Sequence, residues 1–113
     1  MVRTINPEII KELKSLDSSQ AQEVFSEMVD LYLKFSRSNL NKMLDFTHEH
    51  EFQLVKKEAR SWRSFSTTIG AEKLTELLML IEMEEEKRIY ELINECQREF
   101  DSVESELLKK IDK

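Results

Sequence analysis

Along most of this chain apolar residues return at intervals of three and four, the period that gathers them on one side of an α-helix. Asn6-Pro7-Glu8 opens the first such segment with a favoured cap residue, a proline at the first helical position and an acid in the first turn. Ile9, Ile10, Leu13 and Leu16 follow on one face, so a short helix is expected to about Leu16. Asp17, Ser18 and Ser19 interrupt it and supply a cap for a second helix. There Val24, Phe25, Met28, Leu31, Tyr32 and Phe35 recur at helical spacing and are expected to bury one stripe. Ser36 to Asn41 is polar, a place where the helix could kink, but Leu40, Met43, Leu44 and Phe46 resume the pattern, which predicts one long helix, straight or bent, to about Asp45.

Thr47-His48-Glu49-His50 is the next break. From about Glu51 a third helix carries Val55, Ala59, Trp62 and Ile69 on one side, while Lys56, Arg60, Arg63 and Thr67 fall at i, i+4, i+7 and i+11 on another. The first stripe faces a core and the second faces water. Gly70, the sole glycine, stands where this helix should end, and Ala71 starts a fourth helix through Leu74, Leu77, Leu78 and Ile81. Glu84-Glu85-Glu86 with Lys87 and Arg88 reads as solvated surface. Ile89, Leu92, Ile93, Cys96, Phe100, Val103, Leu107 and Ile111 then alternate steps of three and four, the seam of a helix packed lengthwise against others.

Composition narrows the functional classes. At 113 residues, with one Gly and one Pro, the chain is expected to be a single all-α domain over residues 1–113. A net charge of −6 argues against nucleic-acid binding, which draws affinity from clustered Lys and Arg. No apolar run is long enough to span a membrane and no export signal opens the chain, so a cytoplasmic protein is expected. Cys96 is the only cysteine, which excludes an internal disulfide and multi-cysteine metal sites and reads as a small core residue. No Glu-x-x-His pattern and no nucleophile with a matching base is present, so neither an enzyme nor a cofactor or metal is expected.

The segment Ala59-Arg60-Ser61-Trp62-Arg63-Ser64-Phe65-Ser66-Thr67-Thr68-Ile69-Gly70-Ala71 resembles the signature of histidine-phosphotransfer (HPt) domains, approximately A-H-T-L-K-G-S-S-x-x-I-G-A. Ala59, Ser66, Ile69, Gly70 and Ala71 match outright. Phe25 to Phe35 resembles that family's earlier helix, Leu74 to Glu82 its L-x-x-L-x-x-x-L-E stretch, and the long last helix fits as well, so about a hundred residues can be laid on the family. The resemblance implies an up-down four-helix bundle with a short additional N-terminal helix. It also implies a partner: the receiver domain of a response regulator, or a sensor kinase.

The departures from the signature bear directly on chemistry. An HPt histidine relays phosphate through a ring nitrogen that offers a lone pair. Arg60 stands at that position, and a guanidinium stays protonated with no usable lone pair, so the relay reaction should be absent. Arg63 keeps a cation where the family has Lys, whereas Ser64 replaces the Gly that lets a receiver approach closely. Lys56, Arg60, Arg63, Ser64 and Thr67 are therefore the expected partner-binding residues, with a planar donor fork suited to the carboxylate cluster of a receiver. Trp62 falls at a buried Leu position of the family, and Phe65, where the family has Ser, is expected to be partly exposed.

Two other readings compete with a monomeric, non-phosphorylated binding module. His48 or His50 could act as the acceptor in an active phosphocarrier, although they precede Arg60 by ten or more residues, about 15 Å along a helix axis. Their H-x-H spacing is a weak metal signal. Alternatively, the chain is a structural bundle that self-associates through its last helix.

Overall fold

The computed structural model describes residues 2–15 and 19–111, the side chains of residues 19–22 excepted. Within them are five helices and no strand: α1 (Pro7–Lys14), α2 (Ser19–His48), α3 (Phe52–Ile69), α4 (Glu72–Met83) and α5 (Glu86–Ile111). Helix α2 packs on α3, α3 on α4, α4 on α5 and α5 back on α2, while α1 lies against α2. The 30 residues of α2 span about 45 Å at roughly 1.5 Å per residue. That length accounts for the 48 Å long dimension of the molecule. No helix among the described residues is long and apolar enough to cross a membrane.

Local chemistry explains the element ends. The Asn6 side chain accepts from Glu8 N–H at 2.9 Å, and Pro7 follows at the first helical position, as the sequence predicts. Helix α1 ends at Lys14; Leu16 and the interrupting Asp17 and Ser18 lie outside the described residues. Helix α3 ends at Gly70, whose φ of +86° is left-handed, so its N–H can return to Ser66 and Thr67 carbonyls. A side chain there is opposed twice, because an added Cβ would stand 3.3 Å from Cβ of Ile9 as well as adopting that φ. The close approach has a purpose: Asn6 N–H donates to Gly70 O at 2.8 Å, and Lys73 N–H donates to Arg3 O at 3.0 Å. Arg3 and Asn6 also donate side-chain hydrogen bonds to the Glu72 carboxylate. The N-terminal segment is thus strapped across the α3–α4 turn.

The core follows the predicted stripes of α3, α4 and α5 closely. Val55, Ala59, Trp62 and Ile69 are buried, as are all four apolar residues named for α4 and the α5 seam from Ile89 to Leu107. Trp62 packs edge-on against Phe100 with ring centroids 5.7 Å apart. Burying an indole also buries its N–H, which needs an acceptor. Ser36 provides it, with Trp62 Nε1 donating to Oγ at 2.8 Å. Beside this pair, the Tyr32 hydroxyl and Ser66 Oγ share a hydrogen bond of 2.8 Å.

Helix α2 corrects two expectations. It is the one long helix expected, with Ser36 and Asn39 buried on its packed face, but it continues past about Asp45 to His48, and the Thr47 side chain bonds back to Met43 O within it. Its predicted buried stripe divides in two. Phe25, Val29, Tyr32, Ser36, Leu40 and Met43 face the core, but Val24, Leu31 and Phe35 are half-exposed on the next seam of the helix. The apolar residues of α2 cover a wider arc than α3 and α5 can cover, so one edge of that arc meets solvent.

Candidate interaction face

The cationic stripe of α3 emerges opposite the Trp62–Ser66 side of the same helix, since a residue four positions on lies nearly one turn further along the same face. Arg60 is the more exposed of its two arginines, with 77% of its side chain accessible against 33% for Arg63. Arg63 is half-buried, Lys56 is half-buried, and Ser64 and Thr67 are exposed. The two hydroxyls bond back into their own helix: Thr67 Oγ1 donates to Arg63 O at 2.9 Å and Ser64 Oγ to Arg60 O at 3.4 Å. Their protons are engaged there, which leaves oxygen lone pairs facing solvent.

The structure adds a residue to this stripe that the sequence reading passed over. Glu82, near the end of α4, accepts from Arg63 Nε and from Arg63 Nη2, the latter at 3.2 Å, in a bidentate pair. It also accepts from Arg60 Nε at 3.4 Å. Hydrogen bonds from Arg63 hold the Glu82 carboxyl below its ordinary range, against the opposing effect of burial, with Arg60 adding to the shift. The same contacts raise the Arg63 guanidinium further. Arg60, Glu82, Gln53, Lys56 and Lys57 line a cleft of about 380 Å³. A pointer existed in the sequence: a tight Gly70 turn returns α4 along α3, bringing a late α4 acid opposite the middle of α3.

Between α2 and the later part of α3 the surface is apolar. Phe65, 45% exposed, stacks on Phe35 of α2, 51% exposed, with centroids 5.6 Å apart and planes 12° from parallel. The pair borders a cleft of about 240 Å³ whose walls include Met28, Leu31 and Thr68. Part exposure of Phe65 agrees with the sequence reading, whereas exposure of Leu31 and Phe35 does not.

The remaining candidates lie elsewhere. His48 closes α2 and His50 follows in the turn before α3 with φ of +59°; both are exposed, and the His50 ring sits 5.9 Å from that of Phe52. No group of three or more potential metal ligands occurs among the described residues. Cys96 is buried, and burial pushes its thiol well above the ordinary range, with Glu95 and Glu99 adding to the effect. Glu99 is a buried acid the periodicity did not single out. One of its oxygens lies 4.0 Å from Lys73 Nζ, and the other has no hydrogen-bond partner.

Compared with known proteins, the chain matches no family model, no curated protein and no solved structure.

Proposed function

We propose that this chain is a non-catalytic, HPt-like binding module of two-component signalling that docks a response-regulator receiver domain without accepting phosphate. In this reading α2 to α5 form an up-down four-helix bundle, with α1 as the short additional helix, and the protein works as a cytoplasmic monomer.

The observation that carries the proposal is Arg60 itself. At the position of the signature histidine, an exposed guanidinium projects from α3 at the edge of a cleft that also holds Lys56 and Lys57. Its charge and planar fork suit the carboxylate cluster of a receiver site, while its chemistry forbids phosphoryl acceptance. Further along the same helix the stacked Phe35–Phe65 pair offers an exposed aromatic anchor, and such residues carry much of the energy of protein interfaces. Ser64, in place of the family's Gly, holds a docked receiver slightly further from the helix. A module of this kind shifts its partner only by its differential affinity for the partner's states, so it either competes with a working phosphotransfer protein or holds the receiver in one state.

The test is phosphotransfer from phosphorylated receiver domains with binding followed in parallel, for the native chain and for Arg60→Glu. Binding without label transfer, weakened at least tenfold by the charge reversal, is the expected result. Acid-labile label on this chain would overturn the proposal and redirect attention to His48 and His50. Concentration-dependent mass with no receiver bound would favour the self-associating bundle.

A further inference from the structure

Arg60 and Arg63 share one carboxylate, but unequally. A guanidinium carries five N–H donors in a rigid fork. Arg63, half-buried, commits both Nε and an Nη to Glu82, the bidentate arrangement that a carboxylate fits best. Arg60 commits only Nε, at 3.4 Å, and its terminal Nη groups donate to no described residue. Glu82 is only 15% exposed, so it approaches the fork from the protein side and leaves the outer side open. The trio carries a net charge of one positive unit, to which Lys56 and Lys57 in the same cleft add two.

We propose that Glu82 is a built-in competitor: it occupies the carboxylate-binding edge of Arg63 and leaves Arg60 alone to read the anionic oxygens of a docking partner. The inference rests on the reading of this face as a docking surface for an acidic partner, and it specifies how the face is set. Arg63 is the fixed member, held by two hydrogen bonds and partial burial. Arg60 is the mobile member, singly held and exposed. An incoming carboxylate or phosphoryl group meets Arg60 first and reaches Arg63 only where Glu82 gives way. The affinity of the face for anions is thereby held down by a residue on a different helix. Two substitutions move it in opposite directions. Glu82→Gln keeps one oxygen for Arg63, removes the competing charge and frees the second fork. Arg63→Gln leaves Glu82 to Arg60 and closes the remaining one.

The experiment uses the full chain with ¹⁵N-labelled arginine, titrated with inorganic phosphate at fixed ionic strength and followed through the Arg60 and Arg63 Nε–H signals. In the native chain Arg60 shifts ahead of Arg63. In Glu82→Gln both shift together, and the midpoint falls about three- to fivefold, the size of one exposed charge interaction. In Arg63→Gln the midpoint rises. Native-like helical circular dichroism of each variant accompanies the titration, and the Arg63→Gln arm stands if Glu82→Gln does not fold. An unchanged or higher midpoint in Glu82→Gln, a lower one in Arg63→Gln, or Arg63 responding with Arg60 in the native chain overturns the competitor role. Because no receiver is present, the phosphate pattern can hold while every receiver fails to bind. That outcome removes the docking function and keeps the internal competition.

Discussion

Replacing Ser36 by Ala removes the acceptor that takes the Trp62 indole N–H at 2.8 Å and leaves the Tyr32 hydroxyl, already engaged with Ser66, as the remaining group in reach, with the space almost unchanged. Both residues have no accessible surface, so water cannot take the place of the hydroxyl without opening the core. An unsatisfied buried donor costs about 1–3 kcal/mol; full burial raises the cost and the nearby Tyr32 hydroxyl lowers it, which puts this one mid-range at about 2 kcal/mol. For a domain of this length the melting temperature should fall by roughly 8 °C, at about 4 °C per kcal/mol. Trp62 is the chain's single tryptophan, so its fluorescence during urea unfolding reports the site directly, with circular dichroism as the global measure. Ser66→Ala is the control. It removes the partner of the Tyr32 hydroxyl, but Tyr32 also has Ser36 within hydrogen-bonding reach, so the loss should be about 1 kcal/mol or less. A Ser36→Ala cost below about 0.5 kcal/mol, or one smaller than that of Ser66→Ala, would refute the reasoning. The stakes reach the surface, because this network fixes the rotation of α3 and hence the direction in which Arg60 and Arg63 emerge.

The depressed Glu82 carboxyl contributes stability that is present above its ordinary value of 4.5 and is lost as pH falls through the lower folded value. The stability gap between the native chain and Glu82→Gln should therefore be largest near neutrality and shrink below pH 4.5, as followed by urea midpoints; a gap constant with pH would contradict this. Gly70→Ala combines the left-handed φ with the approach of Ile9 and should cost at least about 1–2 kcal/mol by denaturant unfolding. A neutral effect would show that the turn can relax. Cys96, buried and with its thiol held protonated, should resist Ellman's reagent until the protein unfolds. Labelling faster than unfolding would argue against the packing of α5.

Much of the architecture was legible because the buried residues of α3 and α5 recur on one stripe, and the four apolar residues named for α4 all go inward although Met79, Leu80 and Met83 of the same helix stay exposed. Trp62, Ala59 and Leu74 could be assigned inward from spacing alone, and Gly70 marked its turn as the only residue type free of the left-handed penalty. Helix α2 was less legible for the complementary reason. It carries two adjacent apolar seams, and only the position of its neighbours decides that Tyr32 goes in while Leu31 and Phe35 stay out. Ser36 looked like surface by type, yet is buried because an indole N–H on another helix needs an oxygen. At the candidate face, Arg60 and Arg63 were singled out by resemblance to a motif. Glu82 closed an aligned stretch but was given no role, because its pairing with Arg63 depends on how far α4 is rotated against α3, a quantity periodicity does not contain.

The N-terminal strap ties Arg3 and Asn6 to Glu72 across sequence separations of 69 and 66 residues. Contacts that distant close a large loop, and the entropy of that closure is met only after the intervening helices have found one another. The strap should accordingly form after the transition state for folding. Weakening it, by Asn6→Ala for instance, would then leave the rate of folding nearly unchanged and hasten unfolding instead. A contact that looks like ornament at the chain's edge would in that case set how long the folded molecule lasts.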